Sequence, residues 1–367
     1  MAEQFQDERG YAREFLEHLT VSSASADLHP LIEKHLGACV ERSRVEAIIR
    51  AKRQEQLTGK PSKEVDFEGE IEQLLGTLSA MIESACSSLG LELRGGVVAG
   101  LLGKPGFDAA HSPVAFTEAG LVIVHKHFTT FCHILAKALA RSFVTDDEGH
   151  RLALSMNAKK MLRRVRSKRK LLEYWKSFFV FFATLDTKFV IHETVEQNLQ
   201  SVHFQLLFAI ELFVLGHEYA HHIRRHGQVQ EVAVQPVGGQ DHSNEFEADG
   251  LSLLMCRYIG AFSKPQNIFS CSGAGAVVVL SASEGVRMAR AIIREGKEVA
   301  HQSETHPPLE QRLQFLNEVD LLAHPGNLKG FRHIFRTLQE FMQGIFEMVK
   351  PAFWQLHQSG YSLRADL

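Results

Sequence analysis

Several features that would assign this chain to a class at once are missing from it. Its five cysteines, Cys39, Cys86, Cys132, Cys256 and Cys271, form no Cys-x-x-Cys pair and are odd in number. That argues against a disulfide framework and for reduced thiols. Neither sign of charge dominates: 40 Lys and Arg face 43 Asp and Glu, and the pI is near 6.7, so nothing global draws the chain to nucleic acid or anionic membranes. The first residues, Met1 to Arg9, are polar and acidic, without the basic and apolar regions of a signal peptide. The most apolar stretches, Phe178–Leu185 and Leu206–Gly216, fall short of the ~20 apolar residues a spanning helix needs. No internal repeat and no low-complexity tract occurs. The expectation is a cytoplasmic protein with no transmembrane segment.

What is present fits a folded enzyme-sized chain. An apolar content of 45% over 367 residues can fill one large core or two ordinary ones. Helical periodicity runs through residues 1–57, as at Phe15 and Leu19, Leu31 and Ile32, and Ile48 and Ile49. After a turn or hinge at Thr58–Lys63, it resumes from Ile71 to Ile82. Gly95, Gly96, Gly100, Gly103, Pro105 and Gly106 mark a boundary. Leu121-Val122-Ile123-Val124 is a β-branched run behind Gly120, predicting a strand, with a helix over Phe128–Ala140. Weaker strands are expected at Lys188–Thr194 and Glu231–Val237. Further helices are expected over Val202–Arg225, Asn244–Arg257, Ala274–Arg294 and Leu328–Leu356. The pattern predicts a mainly α (α+β) fold in three parts. These are a helical N-terminal region (1–95), a catalytic domain with a small sheet (96–325, with a basic helical insertion at 141–200) and a C-terminal helix (326–367).

The informative pentapeptide is His217-Glu218-Tyr219-Ala220-His221. On a helix His217 and His221 stand about 400° apart, nearly on one face, so two imidazoles can hold one metal ion while Glu218 reaches a water beside it. The motif ends an apolar helix, where a water-excluding metal site belongs. Catalytic zinc takes three protein ligands and keeps a position for water. Glu245 and Asp249 lie four apart on a predicted helix, so Glu245 can coordinate while Asp249 hydrogen-bonds a ligand imidazole. Glu247 points about 200° away from Glu245 and is the fallback third ligand.

Three ordered segments carry a resemblance: Gly216 to His226, Asn244 to Leu254, and Thr305-His306-Pro307-Pro308-Leu309-Glu310-Gln311-Arg312-Leu313. Together they resemble the gluzincin metallopeptidases of the CAAX prenyl endopeptidase and HtpX type, over roughly Val114–Leu316. The resemblance implies a zincin-like (gluzincin) catalytic domain with Zn2+ on His217, His221 and Glu245, Glu218 as general base, Asp249 as orienter and His306 near the active site. It also likens Gly120–Leu139 to that family's edge strand and following helix. The chain departs from the family in lacking spanning helices, in a short interval between His221 and Glu245, and in about sixty residues (141–200) before the metal helix. Soluble phage-exclusion proteases of the Lit type are similar in the zinc motif alone.

Other residues are read beside these. His306 precedes two prolines that hold an extended, rigid segment, from which an imidazole can donate to an oxyanion. Arg312 either serves the site or clamps its segment to an acidic partner. His222 and His226 lie off the metal face, and Tyr219 and the phenylalanines at 178, 179, 181 and 182 read as core. Lys159 to Lys170 holds eight positive charges and no acid. That run reads first as one solvated helix face, and otherwise as a contact for a regulatory partner or ligand; without interleaved aromatics, nucleic acid is disfavoured. The expected function is zinc-dependent hydrolysis of peptide bonds in a cytosolic protein substrate, whose backbone would pair with Leu121, Val122, Ile123 and Val124 by strand addition. The activity would be regulated, through the N-terminal helices or the basic segment. The alternative is a zinc-containing regulatory or sensor protein of stress or phage-defence type with little turnover. A structural zinc in a nucleic-acid module fits poorly, because no cysteine neighbours the motif.

Overall fold

Short β-branched runs between glycines, set among long amphipathic segments, give a mainly helical chain with a small mixed sheet. The computed structural model describes residues 7–20, 67–103, 106–114, 117–148, 151–191, 193–225, 242–298, 306–323, 328–361 and 363. The periodicity at 28–49, the hinge at Thr58–Lys63, the strand expected at Glu231–Val237, and His226 lie outside these residues. Contacts divide the chain into two compact units, residues 1–129 with 215–237, and residues 130–214 with 238–367. They follow packing, whereas the division expected at 95 and 325 follows composition.

In the first unit, α1 (Glu8–Thr20) and α2 (Phe67–Leu89) pack on β1 (Val97–Leu102), and β2 (Ala109–Pro113) and β3 (Gly120–His125) complete the sheet. Gly100 of β1 lets Leu16 of α1 sit directly on the strand; a Cβ there would fall on the leucine side chain. Strand order is β1-β3-β2, with β1 parallel and β2 antiparallel to β3. Leu121 to Val124 therefore form the central strand, not an edge. Their backbone groups are paired on one side with residues 98–101 and on the other with residues 109–112, so substrate addition along them is excluded. Among the described residues the outer strands are β1 and β2. Pro113 in β2 was the overlooked signal, since proline is confined to edge positions in sheets.

The second unit holds most of α3 (Phe128–Ser142), the hairpin of β4 (Val144–Glu148) and β5 (Arg151–Ser155), α4 (Ala158–Ser167) and α5 (Arg169–Thr184). It also contains residues 200–214 of α6 (Gln200–Ile223), then α7 (Ser243–Phe262), the short α8 (Ile268–Cys271), α9 (Ala274–Glu295), α10 (Leu309–Ala323) and α11 (Leu328–Gln358). An aromatic core joins Phe131, Trp175, Phe178, Phe179, Phe182, Phe341, Phe346 and Phe353. Trp175 Nε1, buried with them, donates to Ser142 Oγ at 3.0 Å, as a buried indole requires.

The expected strand at Lys188–Thr194 is instead a 3-10 turn over Thr187–Phe189, begun by Asp186, whose carboxylate accepts from Lys188 N; a local side-chain cap outcompeted strand propensity. The basic run also differs from one solvated helix face: it is split at Lys168, where α4 ends and α5 begins. Helix α6 and the turn before it (Gln197–Ile223) are long and apolar enough, by length and composition, to cross a membrane, with a mean hydropathy of 1.5 over the best window. That departs from the expectation from shorter apolar runs, because uncharged His, Gln and Ser bridge them. Most of that window is buried inside the protein.

Candidate metal centre

Two of the candidate ligands share the last turns of α6. His217 and His221 are one helical turn apart, and their Nε2 atoms face each other at 3.1 Å, with the rings nearly perpendicular. His217 and Glu218 are buried, and His221 is partly exposed. The flanking residues fix this end of the helix. Tyr219 is fully buried, and its hydroxyl donates to Glu83 Oε1 of α2 at 3.4 Å. His222, next to the candidate ligand His221, is also buried and donates from Nε2 to the carbonyl of Arg94 at 2.9 Å. Burial lowers its pKa, against the opposing effect of this hydrogen bond. It is a structural histidine, as its position off the metal face implies.

The same imidazole explains the glycine before β3. A Cβ at Gly120 would fall on His222 Nδ1 and come within 2.9 Å of His111 Nε2, so only glycine lets both rings pack over the strand. His111 on β2 was not singled out from the sequence; nothing in its local pattern distinguishes it.

The third candidate belongs to the first turn of α7. Glu245 is 9% exposed and Asp249, one turn later, is fully buried. Asp249 is held by Arg312 of α10 through two bonds, Nε to Oδ2 at 2.7 Å and Nη2 to Oδ1 at 2.6 Å, the fork geometry that favours arginine here. The same Nη2 lies 3.7 Å from Glu245 Oε2. Of the two sequence readings of Arg312, the clamp is what the geometry shows, with Asp249 as the acidic partner. His306 Nε2 lies 3.5 Å from Glu245 Oε2, with half its side chain exposed. The Pro-Pro segment thus brings an accessible imidazole beside the carboxylate.

Helix α7 is tied to α6 just before the motif. Ser252 Oγ donates to the Phe213 carbonyl at 2.7 Å. On the other side, α9 approaches so closely that a Cβ at Gly275 would fall on the Ala209 carbonyl. His217, His221 and Glu245 form one group in which the ligand atoms all lie within 4.8 Å of one another. This group is able to hold a metal ion. Glu247 is not a member of it.

The donor set fits zinc. Two nitrogens each about 2.05 Å from a tetrahedral ion lie about 3.3 Å apart, close to the 3.1 Å between the two Nε2 atoms. Two imidazoles and one carboxylate are a ligand set that zinc accepts. Cys86, Cys132, Cys256 and Cys271 are buried thiols outside any disulfide, and burial pushes the Cys86 and Cys256 thiols up to about 11 and about 12. They are poor thiolate donors. No protein-family model, curated protein or solved structure matches this chain.

Proposed function

We propose that the chain is a zinc-dependent endopeptidase of the gluzincin type, with His217, His221 and Glu245 as the metal ligands. The observation that carries this reading is the convergence of those three ligand atoms within 4.8 Å beside the intervening acid Glu218. The three ordered segments that resemble the CAAX prenyl endopeptidase and HtpX peptidases favour a peptide bond over other hydrolysable bonds.

When bound, the ion supplies Lewis acidity, bringing the pKa of a water molecule toward about 7 and polarising a carbonyl. Glu218 acts as general base, accepting a proton from the attacking water and returning it to the departing amine. His306, exposed at the edge of the group, donates to the oxygen on which negative charge develops, a contact of a kind worth about 3 kcal/mol. Arg312 and Asp249 hold α10 to α7, the helix that carries Glu245.

The deciding experiment combines elemental analysis of purified protein with N-terminal profiling of cellular proteins, wild type against Glu218→Gln. The expected result is zinc near one per chain in both proteins, with new N-termini generated by the wild type alone and cleavage of an identified substrate reduced about 10³-fold in the variant. Cleavage by Glu218→Gln at the wild-type rate would reject the mechanism.

A further inference from the structure

The basic segment, which the hydrolytic reading does not use, ends in a cavity. Lys168 closes α4, donating its N–H to the Arg164 carbonyl, and adopts an extended conformation that starts α5 in a new direction. At this junction a cavity of about 300 Å³ is lined by Arg141, Lys168, Arg169, Lys170, Leu171 and Glu196. Four cationic side chains and one acid therefore surround a space at the lower end of the range of small-molecule sites.

We propose that this junction binds a phosphate-type oxyanion carried by a small ligand. Three observations converge. The N-terminus of the 16-residue α5 opens here with no side-chain cap from Lys168; the N–H groups of Leu171 and Leu172 donate to the Lys168 carbonyl, and those of Arg169 and Lys170 have no acceptor within the helix. The basic side chains gather at the electropositive end of that helix, where cations are disfavoured and an anion is favoured. Arg141, at the end of α3, is the independent third. Its side chain is 11% exposed, and Nη2 donates to Glu193 Oε2 at 3.1 Å. Nε and Nη1, however, are buried without a hydrogen-bond partner among the described residues. Glu196 stands 3.9 Å from Nε, too far to satisfy it. A guanidinium whose buried Nε and Nη1 have no hydrogen-bond partner among the described residues, beside three exposed cations and a helix N-terminus, concentrates positive charge that a phosphoryl group at this junction would neutralise.

A small ligand fits better than a nucleic-acid strand. The neighbouring aromatics Tyr174 and Trp175 are buried and give no stacking platform. Tyr174 instead lies under the Arg141 guanidinium, 5.5 Å from ring centroid to Cζ, and positions it.

Titration calorimetry on the full-length protein tests this, with sodium pyrophosphate and ATP as separate probes at fixed ionic strength and sodium sulfate as the control anion. The expected result is saturable one-to-one pyrophosphate binding. It weakens tenfold or more in Arg169→Gln/Lys170→Gln and changes less than twofold in Lys159→Gln/Lys160→Gln. The second pair removes the same charge from exposed positions on α4 outside the cavity. Because both variants keep the metal ligands, loss in the first alone also separates this site from pyrophosphate acting on a bound metal. Tighter binding of ATP would assign the phosphate to a nucleotide, and tighter binding of pyrophosphate to an inorganic source. Equal weakening by both pairs, no saturation at millimolar pyrophosphate, or binding of a single-stranded oligonucleotide alone would each overturn the proposal.

Discussion

Two pairs of histidines meet in nearly the same way in this molecule, and only one is part of a candidate metal group. His217 and His221 cross with ring centroids 4.7 Å apart at 86°, and His133 and His203 with centroids 4.9 Å apart at 80°. The first pair has Glu245 within ligand distance. The second pair has Lys137. Burial first and then the Lys137 charge lower the pKa of His133. For His203, burial, His133 and Lys137 bring it down to about 4. Imidazoles in contact thus do not make a metal site; the sign of the third neighbour decides, since a carboxylate adds attraction for a dication and an ammonium adds repulsion.

The comparison breaks first on metal content. His217→Ala, His221→Ala and Glu245→Ala should each lower zinc from about one per chain to under about a tenth, because a site that keeps only two ligands binds zinc weakly. His133→Ala, His203→Ala and Glu247→Ala should leave it unchanged by inductively coupled plasma mass spectrometry. Zinc loss on changing either member of the second pair would erase the distinction.

The support behind Glu245 should show next, as stability. Asp249→Asn removes the carboxylate that makes both short bonds to the enclosed Arg312, leaving Glu245 at 3.7 Å, and removing one member of a buried pair typically costs about 3–5 kcal/mol. Urea denaturation of the metal-free proteins reads this directly; a difference under about 1 kcal/mol would mean that the pair is not holding α10 to α7.

Helix α6 carries both His203 and a buried acid, Glu211, and their titrations oppose each other. His203 stays neutral in the folded chain while the unfolded chain takes up a proton below about 6.5, so its contribution is lost as pH falls from there toward 4. Burial raises Glu211 to about 8; the folded chain keeps a proton that the unfolded chain releases above about 4.5. Stability therefore falls as pH rises across that interval, by up to about 1.4 kcal/mol per pH unit. Glu211→Gln should remove that alkaline slope and leave the acid limb produced by His203. Parallel curves for variant and wild type from pH 5 to 8 would show that Glu211 does not titrate as its burial implies.

The smallest effect comes from converting one pair toward the other. Lys137→Glu places a carboxylate one turn from His133 and removes the neighbouring positive charge. A second, weaker zinc should then appear in competition titrations with a chromogenic chelator, along with a rise in the His203 pKa by proton NMR. An unchanged His203 would leave burial and His133 as the causes of its depression.

The parts of the fold that were legible in the sequence are those set by local pattern. Periodicity placed α6, α7, α9 and α11, and the β-branched run after Gly120 placed β3, each near its observed bounds. The i,i+4 relation of Glu245 and Asp249 singled out the carboxylate that joins the two histidines. What pattern could not give was partnership at a distance. Nothing in Leu121–Val124 indicates that strands will lie on both sides of it, because sheet order depends on the poorly marked segments Val97–Leu102 and Ala109–Pro113. The pairing of Asp249 with Arg312, 63 residues away, was likewise not legible: the sequence offered Arg312 only an unnamed acidic partner and assigned Asp249 to a ligand imidazole. Gly120 looked like a strand boundary, whereas it is the space into which His111 and His222 fit.

The Asp249–Arg312 clamp also bears on how the protein would acquire its ion. The carboxylate ligand is carried on a helix whose position is fixed by an arginine, not by the cargo, so a chain stripped by a chelator need not refold to reload. Its refilling would be timed by diffusion and water exchange rather than by folding.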